Sequence, residues 1–205
     1  MTTPSSSLPT RRRLLLAAGA ATLLAACDRT PKPSFKSVDI TGAEYARRLR
    51  LPDADGHPRS LDEFKGKVVV VFFGYTQCPD VCPTTLQQLV ETKRLLGPQG
   101  DKLQGLFVTV DPARDTPEIL KAYTGAFDPT FIALRGNDDE VAQAAKEFKI
   151  FYRKVDGATP QGYTIDHTAA SYVIDPQGRP RLYVRHGMTA ADLAADIKLL
   201  LEQKG

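Results

Sequence analysis

The sequence predicts an α/β domain built on a mixed sheet with helices on its faces. Residues 67–73, KVVVVFF, form a β-branched and aromatic run too continuous to leave one face in water, the pattern of a central strand covered on both sides. Downstream, short apolar runs alternate with segments of helical period. Near the end, two short strand-like segments flank Asp175-Pro176-Gln177-Gly178, and an amphipathic segment closes the chain.

The elements follow in order. Folding begins near Ser37, and residues 52–58, centred on Asp55-Gly56, read as a turn between two short strands. After the central strand, residues 83–96 carry Leu86, Leu89, Val90 and Leu95 or Leu96 at helical spacing, with Pro83 suited to the first helical position. Residues 106–110 read as a second buried strand. Asp115-Thr116-Pro117-Glu118 is a helix-start signal, an Asp or Thr cap followed by Pro and Glu, for a helix to about Ala126. A short strand at 131–134, a helix at 138–148 and an extended segment at 150–155 come next. Residues 156–166, rich in Gly, Thr and Pro, read as a loop or hairpin. Strands at 171–174 and 182–184 and a helix at 190–201 complete the chain. A thioredoxin-like architecture fits this order best.

The first 26 residues belong to no fold. Arg11, Arg12 and Arg13 precede an apolar run at 14–26, shorter than the about 20 residues that span a bilayer, so the segment reads as an export signal, with an uncleaved anchor as the alternative. Leu24-Ala25-Ala26-Cys27 resembles the lipobox of bacterial lipoproteins, which makes Cys27 a lipidated N-terminus rather than a metal ligand. Asp28 looks like an inner-membrane retention signal, and the arginine run resembles a twin-arginine export motif, with the general secretory route equally open. Residues 27–36, with Pro31 and Pro33, then form a tether and residues 37–205 the domain. Of the 27 Lys and Arg residues, three lie in the leader, so the remainder match the 24 Asp and Glu residues. That balance argues against a nucleic-acid partner.

With Cys27 assigned to lipid, Cys78 and Cys82 stand together where the central strand hands over to a helix, the place where ligands and reactive groups gather in open α/β sheets. Cys82, at or near the helix cap, is expected to be the thiolate favoured by the helix dipole. A structural disulfide would close too short a loop to stabilise much. Two soft thiolates suit Cu(I), and one imidazole would complete a trigonal set; His167, directly before a strand, is the candidate, with a surface role as its alternative. Zinc would want a fourth ligand. His57 and His186 read as solvated, Met188 as packing, and Asp80 as either a loop carboxylate or an influence on the cysteines.

The strings FFGYTQCPDVCP, VDPARDTP and DHTAASYVIDPQGR, in this order, resemble the Sco/SenC family of copper-binding proteins over residues 41–201. The resemblance implies a thioredoxin-like fold and copper, as Cu(I), Cu(II) or both, held by Cys78, Cys82 and His167. It implies a metallochaperone at the periplasmic face of a bacterial inner membrane that helps assemble the CuA centre of cytochrome c oxidase. The implied partners are that oxidase's copper-binding subunit and a periplasmic copper donor or thiol reductant. Asp111, Arg114 and Asp115 match the family's DPxRDT segment, for which a structural role is expected, while Gln77 stands where the family often has His or an aromatic residue.

Two other functions fit the thiols. A thiol–disulfide oxidoreductase would use Cys78 and Cys82 for exchange, yet the spacing is one residue longer than Cys-x-x-Cys and the segment His167–Ser171 lacks proline. A copper or redox sensor would use the same ligands without delivering metal.

Overall fold

The computed structural model describes residues 34–157 and 162–203, so the leader, Cys27 and most of the tether lie outside the described residues. Residues 158–161 of the expected loop do as well. No helix among the described residues is long and apolar enough to cross a membrane. The folded unit starts at Phe35.

Its strands are β1 (Val38–Asp39), β2 (Arg50–Pro52), β3 (Pro58–Ser60), β4 (Val68–Gly74), β5 (Leu103–Thr109), β6 (Ile132–Leu134), β7 (Tyr152–Val155), β8 (Thr164–His167), β9 (Ala170–Ile174) and β10 (Pro180–Arg185). Its α-helices are α1 (Val81–Leu96), α2 (Pro117–Phe127), α3 (Asp138–Glu147) and α4 (Ala190–Glu202). Six strands form one mixed sheet in the order β1-β10-β9-β4-β5-β6. β4 runs parallel to β5 and antiparallel to β9, and every one of its seven residues is buried. Two ribbons, β2–β3 and β7–β8, stand outside this sheet. This is the expected thioredoxin-like arrangement.

The pleat of β4 sends adjacent side chains to opposite faces. Phe72 meets Phe107 with ring centres 6.1 Å apart, and Phe107 in turn packs on Tyr123 of α2. Phe73 turns the other way and meets Phe148, at the end of α3, at 5.4 Å. Helix starts follow local chemistry: Thr116 accepts from the Ile119 N–H, Asn137 and Glu140 form a reciprocal capping box, and Thr189 accepts from Asp192. Of the two caps allowed for α2, the structure uses Thr116.

Of the boundaries that differ from the sequence reading, three are instructive. β5 starts at Leu103 rather than 106, because the Gln104 side chain is satisfied by the carbonyls of Gly105 and Thr130 and can be buried in the strand. α1 starts at Val81, which places Pro83 in the first turn, where a missing N–H breaks no intrahelical bond. His167, read as directly preceding a strand, is itself the last residue of β8, opposite Tyr152, with β9 starting at Ala170.

Candidate metal centre

β4 delivers the chain to the sheet end at Gly74, and the turn that follows is closed by the Cys78 N–H donating to the Tyr75 carbonyl at 3.2 Å. α1 then brings Cys82 back beneath the strand end. A Cβ on Gly74 would lie 2.7 Å from Cys82 Sγ and 3.0 Å from the rings of Phe72 and Phe107, so a glycine here makes room for the sulfur. The β7–β8 ribbon supplies the third donor. Cys82 Sγ and His167 Nε2 are 3.7 Å apart, and with Cys78 Sγ the three donor atoms all lie within 4.8 Å of one another. His167 Nδ1 is 3.2 Å from the Thr168 carbonyl, a group that can only accept. Nδ1 can donate to that carbonyl, which leaves Nε2 as the ring nitrogen that faces the sulfurs. Phe72 and Tyr75 approach the imidazole with steep interplanar angles and centroids 5.9 and 6.0 Å away, fixing its tilt.

The two sulfurs are unequal. Both are free cysteines; Cys82 is fully buried and Cys78 half-buried. Hydrogen bonding to Cys78 together with burial pushes the Cys82 thiol up, whereas the bond from Cys82, assisted by His167, holds Cys78 down to about 3. The pair thus shares one proton, with Cys78 as the thiolate. This reverses the expectation that Cys82 would be the thiolate at a helix cap: it lies inside the first turn of α1 at 0 % exposure, and desolvation opposes charge there.

A SCO1/SenC family profile matches residues 38–202, almost the whole folded unit. The chain belongs to the SCO1/SenC family. The SCO2-like protein of Rickettsia felis is 35 % identical over 176 residues, covering 84 % of each chain. Among solved structures, Bradyrhizobium japonicum ScoI with copper bound is 38 % identical with a TM-score of 0.68, covering 75 % of this chain and 97 % of that one. Apo Sco1 from Thermus thermophilus is 36 % identical with a TM-score of 0.73, covering 82 % and 97 %.

In this SCO1/SenC domain, residues of the DPARDTP segment brace the donors. Asp115 is completely buried and accepts from the Thr76 N–H at 3.1 Å, the Thr76 hydroxyl at 2.6 Å and the Thr109 hydroxyl at 2.5 Å, tying the cysteine loop to β5. Burial raises its pKa against those same hydrogen bonds. Asp111, also buried, takes a hydrogen bond from Tyr163 Oη at 2.7 Å and an ion pair from Arg114, whose guanidinium lies 3.5 Å from the Tyr163 ring centre. Arg114 also donates to the Tyr163 carbonyl and to Gln77 Oε1 at 3.2 Å, so Gln77 joins the brace rather than the donor set. Tyr75 Oη accepts from the Ile165 N–H and links the cysteine loop to β8.

The remaining candidates stay outside. His186 is exposed, and Met188 Sδ faces the Ser37 hydroxyl, as packing requires. His57 sits with Asp53 and Asp55 in the β2–β3 turn, where Arg59 and Lys121 pair with the two carboxylates. Asp80 precedes α1 without a side-chain cap, and its carboxylate takes a long bond from the Thr84 hydroxyl; it reaches the cysteines through its main chain, whose hydrogen bond helps hold the Cys78 thiol down. Sequence reasoning gave no role to Gly74, Tyr75 or Tyr163; Gly74 immediately before the cysteine loop was the one available signal, because a strand-interior glycine marks a close approach.

Proposed function

We propose that this chain is a copper metallochaperone. Cys78, Cys82 and His167 bind one copper ion, and lipid on Cys27 holds the domain at the periplasmic face of a bacterial inner membrane. Its target is the copper-binding subunit of cytochrome c oxidase, where it helps assemble the CuA centre. The observation that carries this reading is the convergence of two sulfurs and one imidazole nitrogen within 4.8 Å. Two thiolates and an imidazole in a trigonal set suit Cu(I), and the copper-bound state of a relative 38 % identical supports the same cargo here.

Binding draws a single proton from the pair: Cu(I) meets the Cys78 thiolate, the His167 Nε2 lone pair and Cys82, whose S–H proton leaves to solvent as the second thiolate forms. Transfer runs by ligand exchange, the incoming thiolates of the acceptor replacing the three donors in turn. His167 is the accessible first point of exchange, since its ribbon borders solvent and Phe151, 61 % exposed, stands beside it.

The unequal thiols favour a second reading, thiol–disulfide exchange with the acceptor's cysteines. There Cys78 would attack and Cys82 would resolve the mixed disulfide. Copper titration of the reduced full-length protein beside His167→Ala separates the two. About one copper per chain, with affinity and the Cu(II)–thiolate absorption strongly changed in the variant, is expected of the carrier. No tight copper binding, with disulfide reduction equal in both proteins, would leave only the oxidoreductase.

A further inference from the structure

The end of the sheet opposite the donors carries a surface that the copper site does not explain. At the start of β4, the Gly66 N–H bonds to the Pro176 carbonyl, which fixes the β9–β10 turn at this pole. Two adjoining clefts open around that turn, of about 870 and 140 Å³, and both are walled by Arg47, Arg48, Gln177 and Gly178. Arg179 and Arg181 complete the larger cleft, Arg50 and Lys65 the smaller. The acids lining them are Glu44 and Asp62, with Asp175 buried beneath Arg179 and Arg181. Glu147 engages the main chain of Arg47 and Arg48.

Arg47, Arg48 and Arg50 are exposed, and their side chains form no ion pair among the described residues. Three unpaired guanidiniums beside a cleft are a recognition surface for phosphate, which they can grip with two hydrogen bonds each. The path of the chain indicates where the phosphate comes from. Phe35, the first residue of the folded unit, lies 5.6 Å from the guanidinium of Arg181, which lines the larger cleft, so the chain before it starts within reach of this pole. Seven residues separate Phe35 from Cys27. Their contour keeps a lipid on Cys27 within about 30 Å of Phe35.

We infer that this arginine pole docks on the anionic phospholipid headgroups of the membrane that holds the protein. The inference rests on the lipid anchor assigned to Cys27. Each basic side chain near an anionic surface adds to the attraction, and several act together here. The seven residues of β4 then set the copper site about 23 Å farther from the bilayer, facing an acceptor rather than the lipid.

Acylation of the full-length protein is read first by intact mass, so that failure of the anchor is seen separately from failure of the pole. The protein is then placed in vesicles of phosphatidylcholine alone or with one part in about three of phosphatidylglycerol, and amide exchange is followed in residues 41–48 and 177–181. The expected result is exchange slowed several-fold by the anionic vesicles only, with the slowing lost in R47E/R48E and at about 0.5 M salt. If the chain is not acylated, its co-sedimentation with the two vesicle types tests the pole alone, with the same variant as control. Equal exchange in both vesicles overturns the inference. So does protection reproduced by inorganic phosphate beside neutral vesicles, which makes the ligand a soluble anion, or protection gained only on adding an acidic protein.

Discussion

The two sides of the candidate metal centre are built from different material. Cys78 and Cys82 flank the end of β4, every residue of which is buried, and Asp115 fastens their loop to β5 with three short hydrogen bonds. His167 comes from a two-stranded ribbon outside the main sheet, whose strands each keep exposed residues. A pair of donors on a braced loop, one of them fully buried, is positioned before metal arrives; a donor on a solvent-bordered ribbon can be displaced with little disturbance to the core. The contrast suits the carrier proposed above, which would hold its cargo and also surrender it.

Breaking the sulfur side should have the largest effect. Cys82→Ser should lower Cu(I) affinity at least ~100-fold, more than His167→Ala does, because it removes a soft ligand from the rigid half. A competition titration with a chromogenic Cu(I) chelator ranks the two. If His167→Ala loses as much affinity as Cys82→Ser, the division between a fixed half and a detachable half is wrong.

Gly74→Ala tests the same half without touching a ligand. Its methyl group would arrive 2.7 Å from Cys82 Sγ, within a ring of Phe72 and Phe107 that has nowhere to retreat. Overpacking of this kind costs about 1–3 kcal/mol, read as a lower midpoint in chemical denaturation, and the displaced sulfur should weaken copper binding as well. Unchanged stability and affinity together would show that the strand end yields more readily than its packing implies.

The unequal thiols give a pH signature. A cysteine with ordinary acidity loses reactivity about tenfold per unit as pH falls below 8. Cys78, held down to about 3, remains thiolate throughout this range. Its alkylation rate in the apo protein should therefore stay nearly flat between about pH 5 and 8, while Cys82 reacts far more slowly; site-resolved mass spectrometry of iodoacetamide adducts reads both. A steep fall in Cys78 labelling at the acid end would place the shared proton on the other sulfur.

The smallest effect belongs to the link between the halves. Tyr163→Phe removes the hydroxyl that reaches buried Asp111 from the segment preceding β8. A loss of about 1 kcal/mol follows, or roughly 2–4 °C in Tm, with copper affinity reduced less than in His167→Ala.

The same contrast sets what could be read from the chain. β4 was legible because burial on both faces demands a continuous apolar run, α2 because a cap at Asp115 or Thr116 is followed by Pro and Glu, and α4 because it is amphipathic; the caps Asn137 and Thr189 emerge only in the structure. The start of β5 was hidden by Gln104, whose partners come partly from Thr130, 26 residues away. Burial of Cys82 and the resulting order of acidities could not be seen, because both depend on a sulfur packed under Gly74, eight positions earlier. The three donors were named from residue types and motif, but their convergence depends on a ribbon register, Tyr152 opposite His167, that no local pattern encodes.

Another joint of the molecule carries a mechanical meaning. Asp196, buried in α4, accepts from the main-chain N–H groups of Lys36 and Ser37 at 2.8 Å and from the Ser37 hydroxyl at 2.6 Å. Tension arriving along the segment before Phe35 therefore meets this clasp first and is passed to the last helix and the outer strands β1 and β10. α4 packs on α1 through Gln88 and Thr92, so this clasp stands between a pull on the preceding segment and the helix that carries Cys82.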